Sequence, residues 1–339
     1  MVSTIAEAVE LVRAICLLPG NDRFLRETDQ EATAVGLRRA IKSRDTPALY
    51  DWLMTGFSFQ GISDRIASDY IDRHGNSTWH AIESALAEHR CQCPKLGGFD
   101  TYRNCGYRKS AATCQNPVDL ADCPVPELPL RKGDLNQLAF SLYYFLRHRC
   151  QGDLVGTIDG MFATIDEANL VDPIKAKRDR LIAEFSSIHA VSAKLIAMML
   201  GSLLMAGGPT RRDWVKVGRS LVTIDSLVHN FLHRTGILTA LDQGHRYGPA
   251  CHGSRGCAAV VYQLADRIDA REANPAFPRT FPRFVEVAIW SFCAETRADT
   301  CNGRHIDDRF ACTRTDCPVG DRCSRLPLRP VTPAAVDLK

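Results

Sequence analysis

The sequence predicts an all-α protein, on three observations. Apolar residues recur every three or four positions through most of the chain. No run alternates apolar and polar residues as a half-buried strand would. Capping residues and glycines bracket many of the periodic runs, as helix starts and stops do. No internal repeat is visible. With 339 residues the chain is long enough for one large domain or two ordinary ones. Its apolar content of 45%, charged content of 24% and net charge of +3 are those of an ordinary globular protein, too weakly basic to announce nucleic acid by charge alone.

Residues 3–16 form an amphipathic helix with Ile5, Val9, Val12 and Cys16 on one face and Ile15 beside them. A polar segment follows to about residue 45 and contains a helix-like stretch at 31–42. From Pro47 the pattern predicts helices near 48–56, 61–74 and 77–89, punctuated by Gly61, Gly75 and Asn76 and capped by Ser77 or Thr78. Residues 91–124 break the periodicity and carry Cys91, Cys93, Cys105, Cys114 and Cys123. Helices resume at 135–148, at about 164–170 and at 174–187.

A tight apolar turn comes next, with Ile188 and Val191 on either side of the small Ala190. A helix over 192–204 then carries Lys194 near its start, where unpaired backbone N–H groups can meet an anion. Asp225 and Gly236 bracket a further helix at 226–234. Helices at 257–271 and 283–292 precede a cysteine-rich C-terminus, and residues 331–339 are expected to be a disordered tail.

Fourteen cysteines are many for a chain of this size. Glu7, Glu10 and Arg13 interrupt the N-terminus, so it lacks the apolar core of a signal peptide, and no stretch is long enough to span a membrane. An intracellular protein, in cytoplasm or nucleoid, is therefore expected, with no membrane partner. There, clustered thiols point to metal rather than to disulfides. The C-terminal group is Cys293, Cys301, Cys312, Cys317 and Cys323, with CTRTDCPVGDRC at its centre. Thiolates so close together can converge on one soft metal centre. Six arginines lie between 301 and 330 against four aspartates, so an anionic partner would be met locally. In the earlier group, Cys93, Cys105, Cys114 and Cys123 make a possible second metal site, most simply zinc, with ordinary buried thiols as the alternative. Lys95, Tyr102, Arg103, Tyr107, Arg108 and Lys109 interleave there in a way that suits a nucleic-acid backbone.

Lys194 alone reads as a solvated helix lysine and Asp225 as an N-cap. His229 and His233 stand one turn apart with no third ligand nearby in sequence, and read as packing or DNA-facing residues. Cys251-His252 with Cys257 reads as a brace rather than a metal site, and Phe57, Phe59, Trp79 and Trp214 read as core.

Residues 187–237 resemble the helix-hairpin-helix DNA glycosylases of the endonuclease III type. Ala190-Val191-Ser192-Ala193-Lys194 lies on the G-V-G-x-K part of that family's hairpin, with both glycines replaced. Ile224-Asp225-Ser226-Leu227-Val228 lies on its V-D-x-H-V segment, Arg234 falls on the closing arginine, and 208–220 is an apparent insertion between lysine and aspartate. Ser58-Phe59-Gln60 loosely matches the short stretch that follows the family's first helices. Cys317-x5-Cys323 matches the last pair of the family's cluster loop, whose earlier spacings are stretched here.

The resemblance implies a two-lobed helix-hairpin-helix glycosylase fold. A helical barrel at 46–220 would contain the hairpin and the 91–125 insertion, and 1–45 with 221–330 would form the cluster-bearing lobe. It implies double-stranded DNA with a flipped base as the partner of a monomeric enzyme. Ala190, Ser192, Ala193 and Gln60 would contact that DNA. Lys194 would attack the deoxyribose and Asp225 would assist, giving excision of a damaged or modified base with β-elimination at the abasic site. A [4Fe-4S] cluster would sit on Cys301, Cys312, Cys317 and Cys323, with Cys293 spare and zinc on the same thiolates as the alternative. A non-catalytic DNA binder of the same fold, and an iron–sulfur redox or sensor protein, are the rival functions.

Overall fold

A computed structural model describes residues 2–60, 62, 64–89, 91–103, 105–130 and 133–329. Among them every regular element is helical, and the one β-bridge joins Arg108 to Thr113. No described helix is long and apolar enough to cross a membrane. The tail expected at 331–339, and Gly61, lie outside the described residues.

The chain divides into two units, the described residues of Thr28–Gly218 and those of Met1–Glu27 with Arg219–Lys339. The first division therefore falls at Glu27, not after residue 45. The reason is local: the helix Leu37–Ser43 packs on the helix Thr46–Phe57 and belongs with it. Where one helix-like stretch was expected at 31–42, two helices, Phe24–Ala34 and Leu37–Ser43, meet at Gly36. Gly36 takes φ +71°, a left-handed conformation that glycine adopts without steric cost.

In the 28–218 unit, Thr46–Phe57 packs against the helices Trp79–Glu88, Gly133–Tyr144 and Ala193–Met205. Tyr50 meets Trp79 edge-to-face and Trp79 meets Tyr143 at a tilt through this core, at centroid distances of 5.8 and 4.6 Å. Phe57, Trp79 and Trp214 are buried as core residues and Phe59 is half-buried. The helix expected at 164–170 lies earlier, at Leu154–Ala163, with Asp153 as its N-cap and only a short 3-10 turn at Glu167–Asn169. Its buried Leu154, Val155, Ile158 and Phe162 keep helical spacing despite Gly156 and Gly160. Within the apparent insertion at 208–220 lies a helix, Arg212–Ser220. Gly218 is where it touches Ala193–Met205, since a Cβ there would sit 3.0 Å from the Gly201 carbonyl oxygen.

The 91–125 segment is built from short turns laid on the helix Gly133–Tyr144. Gln137 donates to the Cys105 carbonyl at 2.9 Å and Tyr144 to that of Leu96 at 2.7 Å. Of the residues that interleave basic and aromatic character here, Tyr102 and Tyr107 are buried and Lys109 donates to the Leu130 carbonyl at 2.5 Å. These three are therefore committed to the fold.

In the other unit the helix Ile5–Cys16 packs on Pro282–Cys293 and Cys257–Ala265, and Ser226–Arg234 packs on Pro282–Cys293. Thr4 and Glu7 form a capping box at the start of the first. Its buried face is Ala8, Leu11, Val12, Ile15 and Cys16, so Ile5 and Val9 sit at the edge of the stripe. Phe231, Leu232, Val261, Leu264, Val285 and Ile289 complete this core, each worth about 1.5–3 kcal/mol of transfer free energy.

Candidate functional site

The turn before Lys194 joins two helices, Pro173–Phe185 and Ala193–Met205. Pro173–Phe185 ends, His189 donates its N–H to Ser141 at 2.9 Å, and Ala190 turns the chain at φ +59°. That left-handed conformation is one that Cβ disfavours by about 1–2 kcal/mol. Ser192 then caps Ala193–Met205, its hydroxyl accepting from Leu195 N–H at 3.3 Å. Lys194 is the second residue of the helix and is half-buried.

The structure gives Gln60 a role that the sequence did not suggest. Its amide donates to the Ala190 carbonyl at 2.8 Å and accepts from Ser192 N–H at 3.2 Å, so in the free chain it spans the turn rather than projecting away from it. Of the three expected backbone contacts, Ser192 N–H is thereby engaged. The amides of Ala193 and Lys194 remain as the helix's own unpaired first-turn donors.

Asp225 belongs to the other unit. Its carboxylate accepts from Val228 N–H at 2.9 Å and caps Ser226–Arg234. At the far end of that helix, buried Arg234 donates to Asp308 at 2.9 Å, and its carbonyl accepts from Leu326 N–H at 2.8 Å. The C-terminal loop is thus docked on the end of the Asp225 helix.

Within that loop Cys301, Cys312, Cys317 and Cys323 line one small hollow, walled by Phe231, Phe292, Ile306 and Val319, with Arg234 and Arg314 on its edge. Cys317 accepts a backbone hydrogen bond from Val319, and Cys323 accepts one from Arg325 at 3.3 Å. Burial pushes both thiols up, Cys323 to about 11, and these amide contacts offset part of that shift. Cys293 stands behind the group and hydrogen-bonds Cys301. That bond, with Arg234 and Arg314 adding, holds Cys301 below the ordinary thiol range, and burial keeps Cys293 a neutral thiol. Four soft donors, apolar walls and amide N–H groups are the kind of surroundings a soft metal centre takes.

In the 91–123 group, Cys93, Cys105, Cys114 and Cys123 line one hollow. Cys114, however, donates its thiol to the Asn116 carbonyl at 2.9 Å. Burial first, then Cys91, Cys105 and Cys93, push Cys123 up to about 12. Cys91, outside the expected set, therefore joins the thiols that act on Cys123.

A third group, not expected from the sequence, adds a metal-binding possibility to His229, expected to be a packing or DNA-facing residue, and to Cys251 and Cys257, expected to be a brace. His229 Nδ1 lies 3.3 Å from Cys257 Sγ and 3.5 Å from Cys251 Sγ, and His245 Nε2 lies 3.3 Å from Cys257 Sγ. The ligand atoms of His229, His245, Cys251 and Cys257 all fall within 4.8 Å of one another, so the group can hold a metal ion. The partner histidine is His245, not His252. Burial, with His245 and His233 adding, pushes His229 down to about 4, so its imidazole is neutral at physiological pH. The sequence signal was faint: His229 on a helix, His245 and Cys251 in a glycine-rich loop and Cys257 just after it.

No family model, no curated protein and no solved structure matches the chain.

Proposed function

We propose that the protein is a DNA glycosylase that uses Lys194 and Asp225 to excise a base and then cleaves the abasic site. The observation that carries this reading is the hairpin. A left-handed residue, a serine-capped helix start and a half-buried lysine at its second position follow one another in 190–194.

Anionic backbone approaching the helix start would meet the amides of Ala193 and Lys194. The lysine amine then attacks C1′ of a flipped nucleotide, the C1′–N bond breaks, and the base leaves with the electron pair. The resulting sugar–lysine Schiff base supports β-elimination of the 3′ phosphate. The departing base takes up the lysine proton, and Asp225, held rigid by its bond to Val228, is the carboxylate assigned to stabilise the cationic sugar. The cluster on Cys301, Cys312, Cys317 and Cys323, when bound, ties the loop that docks on Arg234.

Borohydride trapping tests the proposal. Protein and its Lys194→Gln variant are incubated with DNA carrying an abasic site or a panel of oxidised and hypermodified bases. A covalent adduct formed by the native chain and absent from the variant is expected. No base release and no adduct on any substrate would overturn it in favour of a non-catalytic binder.

A further inference from the structure

We propose that His229, His245, Cys251 and Cys257 bind one zinc ion in a closed, four-coordinate site distinct from the thiol loop at 301–323. With Zn–S near 2.3 Å and Zn–N near 2.0–2.1 Å, a tetrahedron sets neighbouring N and S atoms about 3.5 Å apart. The three N···S separations here are 3.3, 3.3 and 3.5 Å.

The outer atoms are arranged for the same purpose. His245 Nδ1 lies 2.7 Å from the Gln243 carbonyl oxygen. It must donate there, which leaves the Nε2 lone pair facing Cys257 and fixes the ring as a metal-binding histidine is usually fixed. The loop is also shaped for it. A Cβ on Gly256 would sit 2.1 Å from the Ala250 carbonyl oxygen and 2.6 Å from the Cys251 carbonyl carbon. Only glycine lets 250–257 fold tightly enough for the two thiols to meet.

Two thiolates and two neutral imidazoles suit zinc over hard cations, and the two thiolate charges cancel the ion's own in a site where both cysteines are fully buried. Binding forms two Zn–S and two Zn–N bonds and releases both thiol protons to solvent. With every position taken by the protein, the ion's role is structural. It fastens the loop before Cys257 to the helix that Asp225 caps. None of this depends on the glycosylase reading.

The test counts zinc in the full chain and in Cys257→Ser and His245→Gln after dialysis against a chelator, with helical content followed by circular dichroism. His245 lies half-buried on a loop, so His245→Gln carries the test if the cysteine variant fails to fold. Each folded variant should lose one zinc per chain while its iron content stays constant. Cobalt in the native chain should show tetrahedral d–d bands with thiolate charge transfer that vanish in His245→Gln. Equal zinc in native and folded His245→Gln protein, or a native chain without zinc, would overturn the proposal.

Discussion

Two helices begin in the same way and are supported in different ways. Ala193–Met205, with Lys194, and Ser226–Arg234, with Asp225, each start at a side chain that accepts a backbone N–H. Around the first, the support is hydrogen bonding: the Gln60 amide spans the turn that Ala190 makes. Around the second, it is side chains that can hold metal. His229, one turn in, joins His245 and the two buried thiols, and Arg234, at the far end, carries the loop with Cys301, Cys312, Cys317 and Cys323. A few hydrogen bonds hold a turn to within about 1–2 kcal/mol, whereas a metal site can decide whether its surroundings fold at all. The Lys194 helix should therefore tolerate loss of its brace, and the Asp225 helix should not.

The largest break is expected at Gly256. Gly256→Ala should cost about 2–3 kcal/mol, because the Ala250 carbonyl is backbone and cannot step aside. Urea unfolding would show the loss, together with release of the metal held by His229 and its neighbours.

Asp225 separates support from chemistry. Asp225→Ala should cost about 1 kcal/mol, whereas Asp225→Asn, an equally good cap, should leave stability within a few tenths. Both should lower borohydride trapping by at least about 100-fold if the carboxylate stabilises the cationic sugar. An Asn variant that traps as well as the native chain would reduce Asp225 to a cap.

On the Lys194 side the effects are smaller. Gln60→Ala should cost only about 0.5 kcal/mol in thermal unfolding, since the freed Ser192 amide lies at an exposed residue where water replaces its partner. Ala190→Gly should raise stability by about 0.5 kcal/mol, the left-handed strain removed exceeding the added chain entropy. A loss from Ala190→Gly would mean that the alanine methyl packs in a way its backbone strain conceals.

Sequence made the helices with strong ends legible. Asp225 and Gly236 bracket Ser226–Arg234 because capping is local chemistry, written within a few residues. Leu154–Ala163 was hidden by Gly156 and Gly160, which weaken helical propensity while tertiary burial of Leu154, Ile158 and Phe162 compensates. The C-terminal thiols announced themselves because all four belong to one loop. The His229 group did not, since its side chains come from a helix, two points in a loop and the start of the next helix, and only the packed chain brings them together. Gln60 lies far from Ala190 in sequence, and no local pattern links a glutamine to the turn it closes.

On the two proposals, the Asp225 helix carries iron at one end, through the loop docked on Arg234, and zinc at His229. Counting iron and zinc side by side in anaerobically purified native chain, Cys317→Ser and His245→Gln tests it most directly. Cys317→Ser should lose the iron and keep the zinc held by His229, and His245→Gln should lose one zinc and keep the iron. A native chain without iron, or two variants that lose the same metal, would contradict the account.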